Sequence, residues 1–120
     1  MKLEGIKLET AINEVSQVPV VRVVGEIDVY TAPDFKSAIN KVIDSGATKI
    51  VIDLTDVSYM DSSGFGTLLG ATKRIRPKGG AISLIGCSEA IERMLKITRL
   101  DTIFGMYPTV DEAVEALGKE

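Results

Sequence analysis

Four residues, Asp61, Ser62, Ser63 and Gly64, place a carboxylate and two hydroxyls at the mouth of an apolar, helix-like run. A serine hydroxyl there can attack a substrate, accept a phosphoryl group or cap the helix. Attack requires a base, and because the chain contains no histidine, only lysine or a carboxylate could serve. A nucleophile elbow also requires glycine two residues before the serine, where Met60 precedes Ser62. We therefore expect no hydrolysis, no acyl transfer and no catalytic residue.

The glycines of GFGTLLG, residues 64–70, resemble in outline a loop that cradles phosphate at a helix start. Their spacing is neither GxxxxGK[ST] nor GxGxxG, and Phe65 and Leu68 already have a packing role in a helix. Weak nucleotide binding stays open as an alternative. No metal and no obligate cofactor are expected.

Helix capping is the structural role open to the same residues. Asp61, Ser62 or Ser63 can each accept a hydrogen bond from the helix start, and Gly64 and Gly66 would let the helix lie close to a sheet. Capping needs only one such side chain, whereas the sequence supplies three in a row. We expect Ser63 to be the cap while Ser62 faces solvent, although the sequence allows these two roles to be exchanged.

Length and composition indicate one domain that folds on its own. The chain has 120 residues, of which 45% are hydrophobic and 26% charged, which is ordinary for a globular protein. The net charge of -3 argues against nucleic-acid binding, which normally requires a surplus of positive charge. One basic cluster falls where a helix should end, so we interpret it as complementing the helix dipole: Lys73, Arg74, Arg76 and Lys78.

Hydropathy along the chain predicts neither a signal peptide nor a membrane anchor. The first residues alternate charged and apolar types, and no run of about 18 apolar residues occurs. We therefore expect a soluble, cytoplasmic protein with no membrane partner. The lone Cys87 closes an apolar strand-like run and has no neighbouring histidine or CxxC motif, which favours a small buried thiol.

Strand and helix patterns alternate along the chain after an opening hairpin. The order predicts an α/β domain with a mixed, mostly parallel sheet of about five strands and about four helices. Partners of such sheets usually meet the carboxyl ends of the strands. The first half of the chain predicts strands over 6–14 and 18–25 around a break at Ser16 to Pro19, a helix capped by Thr31 with Asp34 reaching back and ended by Gly46, and a central strand over 49–54. The second half predicts a helix from Phe65 to Ile75, a strand over 81–86, a helix capped by Ser88, an edge strand over 101–107 and a helix opened by a capping box of Thr109 and Glu112.

Three stretches resemble the anti-sigma factor antagonists of the STAS family: VVGEIDVYTAPDF at 23–35, MDSSGFGTLLG at 60–70 and GGAISLIGCSEAIERMLKITRLDTIF at 79–104. The resemblance runs from about Val20 to Leu117. Its most specific part is the order D-S-[ST]-G-x-G after a VIDL-type strand. A second family pattern, G-x-[LI]-D-x-x-[TN], is matched by Gly25, Ile27, Asp28 and Thr31.

The resemblance implies a regulatory binding protein in place of an enzyme. Antagonists of this family bind a cytoplasmic anti-sigma factor, often itself a serine kinase, and so release the sigma factor. The family's phosphate acceptor is the serine directly after the aspartate, here Ser62, and a separate PP2C-type phosphatase reverses the modification. The implied partner-binding residues are Asp28, Asp61, Ser62, Ser63 and Gly64.

The physics of phosphorylation is consistent with such a switch. A phosphoryl group adds about -1.5 to -2 charges, and free N–H groups at a helix start can meet its oxygens. We therefore expect the fold to survive and the partner interface to be lost. One alternative concerns Asp28, which would then be only a turn former. Another concerns the whole chain, which would then be a scaffold or sensory module of the same fold that is not phosphorylated.

Overall fold

A computed structural model describes residues 8–118, and it contains one five-stranded mixed sheet in the order β1-β2-β3-β4-β5. Strand β1 is antiparallel to β2, and the remaining neighbours are parallel. With four helices in the described residues, this confirms the predicted α/β domain. The strands are β1 (Glu9–Val15), β2 (Val18–Ile27), β3 (Lys49–Met60), β4 (Ala81–Ile85) and β5 (Gly105–Tyr107), and the helices are α1 (Ala32–Asp44), α2 (Ser62–Ile75), α3 (Glu89–Ile97) and α4 (Val110–Gly118).

The predicted opening hairpin is confirmed, with a tighter turn than expected. Ser16 and Gln17 have φ angles of 52° and 70°, a pair of left-handed residues that suits a two-residue hairpin turn. Strand β2 begins at Val18, as predicted, and includes Pro19, so the turn occupies only the first half of the predicted break at Ser16 to Pro19. Residues 6 and 7 of the predicted first strand lie outside the described residues.

Strand β3 is the central strand, as predicted, but it continues six residues beyond the expected end, to Met60. Its first five residues pair with β4, and its residues from Val51 to Met60 pair with β2, so only the three residues 51–53 pair with both neighbours. Two register shifts against β2 disturb the alternation, so that Leu54, Val57 and Met60 are buried at intervals of three. The apolar residues in the later part of β3 therefore do not alternate with polar ones, and the sequence carried no strand pattern for this part. The paired ends of β2 and β3 project past β4.

Helices cover both faces of the sheet unequally. Side chains of α1, α2 and α3, including Phe35, Leu68 and Leu95, form one large buried cluster with one face of the sheet. On the other face, Ala113 and Leu117 of α4 form a smaller cluster with β2, β3 and β4. Because β3 is covered on both sides, its first residues form a nearly continuous apolar run, as its sequence predicted.

Two of the predicted helix caps are confirmed and one is wrong. The hydroxyls of Ser88 and Thr109 accept hydrogen bonds from the N–H groups of Ile91 and Glu112, each at 3.2 Å. Thr31 does precede α1, but its hydroxyl donates to the carbonyl of Glu26 at 2.7 Å and caps nothing. The capping box of Thr31 and Asp34 therefore does not form, because the preceding turn uses the hydroxyl.

None of the helices within residues 8–118 has the length and apolar content that crossing a membrane would require.

Candidate functional site

The carboxyl ends of β2 and β3 bring the two motifs of the sequence together. Ile27 pairs with Met60 at the last position of both strands, and the N–H of Asp61 donates to the carbonyl of Ile27 at 3.0 Å. Asp28 and Asp61, which are 33 positions apart in the chain, therefore each follow one member of the same residue pair. The expectation that Asp61, Ser62 and Ser63 follow the carboxyl end of the central strand is confirmed.

Asp61 caps helix α2. Its Oδ1 accepts a hydrogen bond from the N–H of Ser63 at 2.8 Å, and its carbonyl accepts one from Gly64 at 3.0 Å. An extended backbone at Asp61, with ψ of -170°, turns the carboxylate back over these donors. The expectation that one of Asp61, Ser62 and Ser63 caps the helix is confirmed, but the assignment of the cap to Ser63 is wrong, since Ser63 supplies the donor and Asp61 the acceptor.

Ser62 occupies the first position of α2, and its side chain is exposed. Within the described part of the chain, its hydroxyl has no hydrogen-bond partner. The capping oxygen at this helix start comes from Asp61, so the cap does not use the hydroxyl of Ser62. The hydroxyl is thus accessible to a modifying enzyme, as expected.

Ser63 faces a different surface. It is half-buried and lines a groove of about 480 Å³ between α1 and α2, of which Ser62 is not a part. Arg74, in the same groove, donates to Asn40 at 2.7 Å and to Asp44 at 2.9 Å. The two adjacent serines are therefore not equivalent, and only Ser62 stands clear of the helix packing.

Gly64 fixes the distance between α2 and the strand ends. It is buried, and a Cβ added to it would lie 2.9 Å from Cγ2 of Ile27 and closer still to Cγ of Met60. The close approach that we expected of this glycine is confirmed. The same expectation is wrong for Gly66, since a Cβ there would meet nothing within 4 Å.

Asp28 organises the turn between β2 and α1. Its Oδ1 accepts hydrogen bonds from the N–H groups of Tyr30 at 2.9 Å and Thr31 at 3.0 Å. Its own N–H donates to the Thr31 hydroxyl at 2.9 Å. Asp28 is therefore a turn former, which was one of the two roles left open. Its contact with a partner stays a prediction.

Large apolar side chains surround these polar residues, and sequence reasoning missed them. Val29, Tyr30 and Tyr59 are 63%, 74% and 51% exposed. Tyr59 pairs with Glu26 one position before the ends of the two strands. The signal available in the sequence was two apolar residues inside a turn, where polar residues and glycine are usual. We call the set that follows the strand-end surface: Asp28, Val29, Tyr30, Tyr59, Asp61 and Ser62.

The described residues offer no evident metal centre, since residues 8–118 contain no group of three or more histidine, cysteine or carboxylate side chains suitably placed. Both carboxylates of the strand-end surface accept backbone hydrogen bonds. Binding to a partner is the chemistry that the arrangement supports best: a free hydroxyl sits among fixed carboxylates and exposed apolar side chains.

Comparisons with known proteins agree with this arrangement. A sequence model of the STAS domain matches residues 9–113. The anti-sigma-B factor antagonist of Bacillus subtilis is 41% identical over 95 residues, covering 79% of this chain and 86% of the relative. That of Listeria monocytogenes is 43% identical over 81 residues, covering 68% and 71%. A crystal structure of an anti-sigma factor antagonist from Mycobacterium paratuberculosis superposes with a TM-score of 0.83 at 33% identity, covering 92% and 93%.

Proposed function

The chain belongs to the STAS family of anti-sigma factor antagonists, and from this membership we propose that it binds an anti-sigma factor and thereby releases a sigma factor. In this proposal the chain acts by binding its partner and catalyses no reaction itself. The proposed docking region is the strand-end surface, with Ser63 and Gly64 contributing through the backbone of the first turn of α2.

Phosphorylation of Ser62 is the proposed off-switch. The observation that supports it most is the free, exposed hydroxyl that directly follows the capping aspartate. The matching kinase is the anti-sigma factor itself, and a PP2C-type phosphatase restores the hydroxyl. Both enzymes act in the cytoplasm in this proposal.

The expected effect of the phosphate falls on the interface and leaves the fold intact. At the first position of a helix, negative charge is stabilised by the helix dipole and by free N–H groups. A partner that closes over Ser62 would have to bury a dianion beside Asp61. Burying an unpaired charge costs several kcal/mol, and a loss of about 3 kcal/mol weakens affinity more than a hundredfold.

An in vitro phosphorylation experiment tests this proposal. The purified chain is incubated with ATP, Mg²⁺ and each anti-sigma factor encoded in the same genome, and the modified residue is mapped by mass spectrometry. We expect one phosphate, on Ser62, that Ser62→Ala abolishes and the matched control Ser63→Ala retains. Calorimetry before and after modification should then show the loss of binding.

Other results would point to the rival functions. Tight binding that persists after phosphorylation, or a chain that no kinase modifies, would favour a constitutive scaffold or sensory module of the same fold. Phosphate on a different residue would refute the assignment of the switch to Ser62. Saturable binding of ATP or GTP by the chain alone would revive the nucleotide-binding alternative.

A further inference from the structure

The turn after β2 exposes two neighbouring apolar side chains, Val29 and Tyr30. Single exposed apolar residues are common on protein surfaces and require no explanation. Here, however, two lie in sequence, and the exposed Tyr59 lies on the adjoining strand end. Apolar surface gathered in one place usually marks a site of interaction.

The turn is rigid for its size. Oδ1 of Asp28 accepts from two backbone N–H groups, and the carbonyl of Asp28 accepts from Ala32 at 2.8 Å. Thr31, which is 3% exposed, ties the other end of the turn to the carbonyl of Glu26. A recognition element that is already ordered loses less conformational entropy on binding than a flexible loop does.

We propose that the turn Asp28–Thr31 is a preformed recognition element in which Val29 and Tyr30 insert into an apolar patch of the anti-sigma factor. Asp28 is then a positioning residue that acts through Tyr30, and its charge makes no essential contact. The inference rests on the proposed function, because the partner is the same anti-sigma factor that docks over Ser62.

The first of three points supports this partner, and the other two support the roles of Asp28 and Tyr30. The turn is continuous with the surface that carries Ser62, since Asp28 and Asp61 follow a paired residue of β2 and β3. The carboxylate of Asp28 is already engaged by the backbone, which is the geometry of a structural role. Tyrosine supplies a large contact area with few rotatable bonds, a reason for its enrichment at binding interfaces.

Calorimetric titration of the full chain with the anti-sigma factor that phosphorylates it tests the recognition element. Tyr30→Ser should weaken binding at least tenfold and Val29→Ser about threefold, as expected for apolar anchors of an interface. Ile12→Ser is the matched control, since Ile12 is also exposed but lies on the edge strand β1, and it should bind within twofold of the unmodified chain. Thermal melts establish that each variant is folded.

Substitutions at Asp28 test the positioning role. Asp28→Asn keeps an oxygen that can accept from Tyr30 and Thr31, so its affinity should stay within threefold. Asp28→Ala loses that acceptor and should weaken binding as much as Tyr30→Ser does. The double variant Asp28→Ala with Tyr30→Ser should be no weaker than Tyr30→Ser alone, because both changes remove the same contact.

The outcomes separate this inference from the proposed function. If phosphorylation abolishes binding but Tyr30→Ser binds like the unmodified chain, the recognition element is refuted and the switch is retained. If Asp28→Asn is as weak as Asp28→Ala and the double variant is additive, Asp28 acts by its charge and the positioning role is refuted. If no anti-sigma factor of the genome binds the unmodified chain, both proposals fail.

Discussion

Helices α2 and α3 both begin beside an exposed serine, Ser62 in the first and Ser88 in the second. Ser88 precedes its helix and is the cap, with its hydroxyl accepting from Ile91 at 3.2 Å. Ser62 is already the first residue of α2, whose cap is Asp61. Exposure is the same in the two places, but hydrogen bonding is not. A helix-start serine becomes available for regulation when another side chain has taken over the capping.

The residues that precede the two serines differ as well. Cys87 is half-buried, and burial, with a smaller contribution from the charge of Glu92, raises the pKa of its thiol to about 11. Asp61 is also half-buried, but its carboxylate accepts a hydrogen bond from the backbone of the helix start. The start of α3 is therefore a structural junction in which the preceding side chain is a screened thiol, whereas at the start of α2 the preceding side chain is the cap.

The largest expected difference between the two helix starts is in partner binding. Ser62→Asp should weaken binding to the anti-sigma factor more than a hundredfold, or about 3 kcal/mol, because it places a charge inside the proposed interface. Ser88→Asp introduces the same charge at α3, where aspartate is itself a good cap, and should change affinity less than threefold. Calorimetry measures both affinities. Equal losses in the two variants would mean that charge anywhere on the surface suffices, and the distinction between the two serines would be lost.

The rate at which Cys87 reacts with an alkylating reagent should show how well the start of α3 screens this thiol from solvent. Since the pKa of Cys87 is raised from an ordinary 9.0 to about 11, its thiolate at pH 8 should be about a hundredfold scarcer than that of a free cysteine. Alkylation by iodoacetamide should accelerate about tenfold per pH unit up to about pH 11. The urea-unfolded chain is the control and should level off near pH 9. A folded chain that reacts as fast as the unfolded one would show that the junction is open.

Two glycines near the start of α2 differ in their surroundings, since one packs against the strand ends and the other faces open space. Gly64→Ala should lower the free energy of unfolding by about 1–3 kcal/mol, because its Cβ would overlap Met60 and Ile27. Gly66→Ala has open space and should raise that free energy by about 0.5–1 kcal/mol, since alanine favours the helix. Urea denaturation measures both changes. Stabilisation by both substitutions would indicate that α2 does not rest on the strand ends.

The smallest expected difference is the stability effect of removing each hydroxyl. Ser88→Ala removes a cap and should cost about 1 kcal/mol of unfolding free energy. Ser62→Ala removes a hydroxyl that bonds to nothing in the described chain, so its effect should lie within about 0.5 kcal/mol. Matched urea titrations of the two variants suffice. If Ser62→Ala lowered the unfolding free energy more than Ser88→Ala does, Ser62 would contribute to the cap of α2 and the assignment of that cap to Asp61 alone would be wrong.

Much of the fold was predictable because its signals are local. The apolar run of β3, the three-and-four spacing of α2 and the caps at Ser88 and Thr109 each depend on residues within a few positions of one another. The predictions failed where a neighbouring strand or a preceding turn competed for the same groups. Pairing with β2 extended β3 to Met60, and the turn at Asp28 took the hydroxyl of Thr31 away from α1.

The candidate site shows the same division. From the sequence alone, the order Asp61-Ser62-Ser63-Gly64 at a helix start, the absence of histidine and the pattern at Asp28 indicated the residue types of the candidate site and argued against a histidine-dependent serine hydrolase. Which side chain caps, which hydroxyl is free, and which tyrosines are exposed near the strand ends were decided by tertiary structure. The reason is that the parallel register of β2 and β3 joins residues 33 positions apart. The extended backbone at Asp61, directly after this pairing, directs its carboxylate to the helix start and leaves the hydroxyl of Ser62 outside.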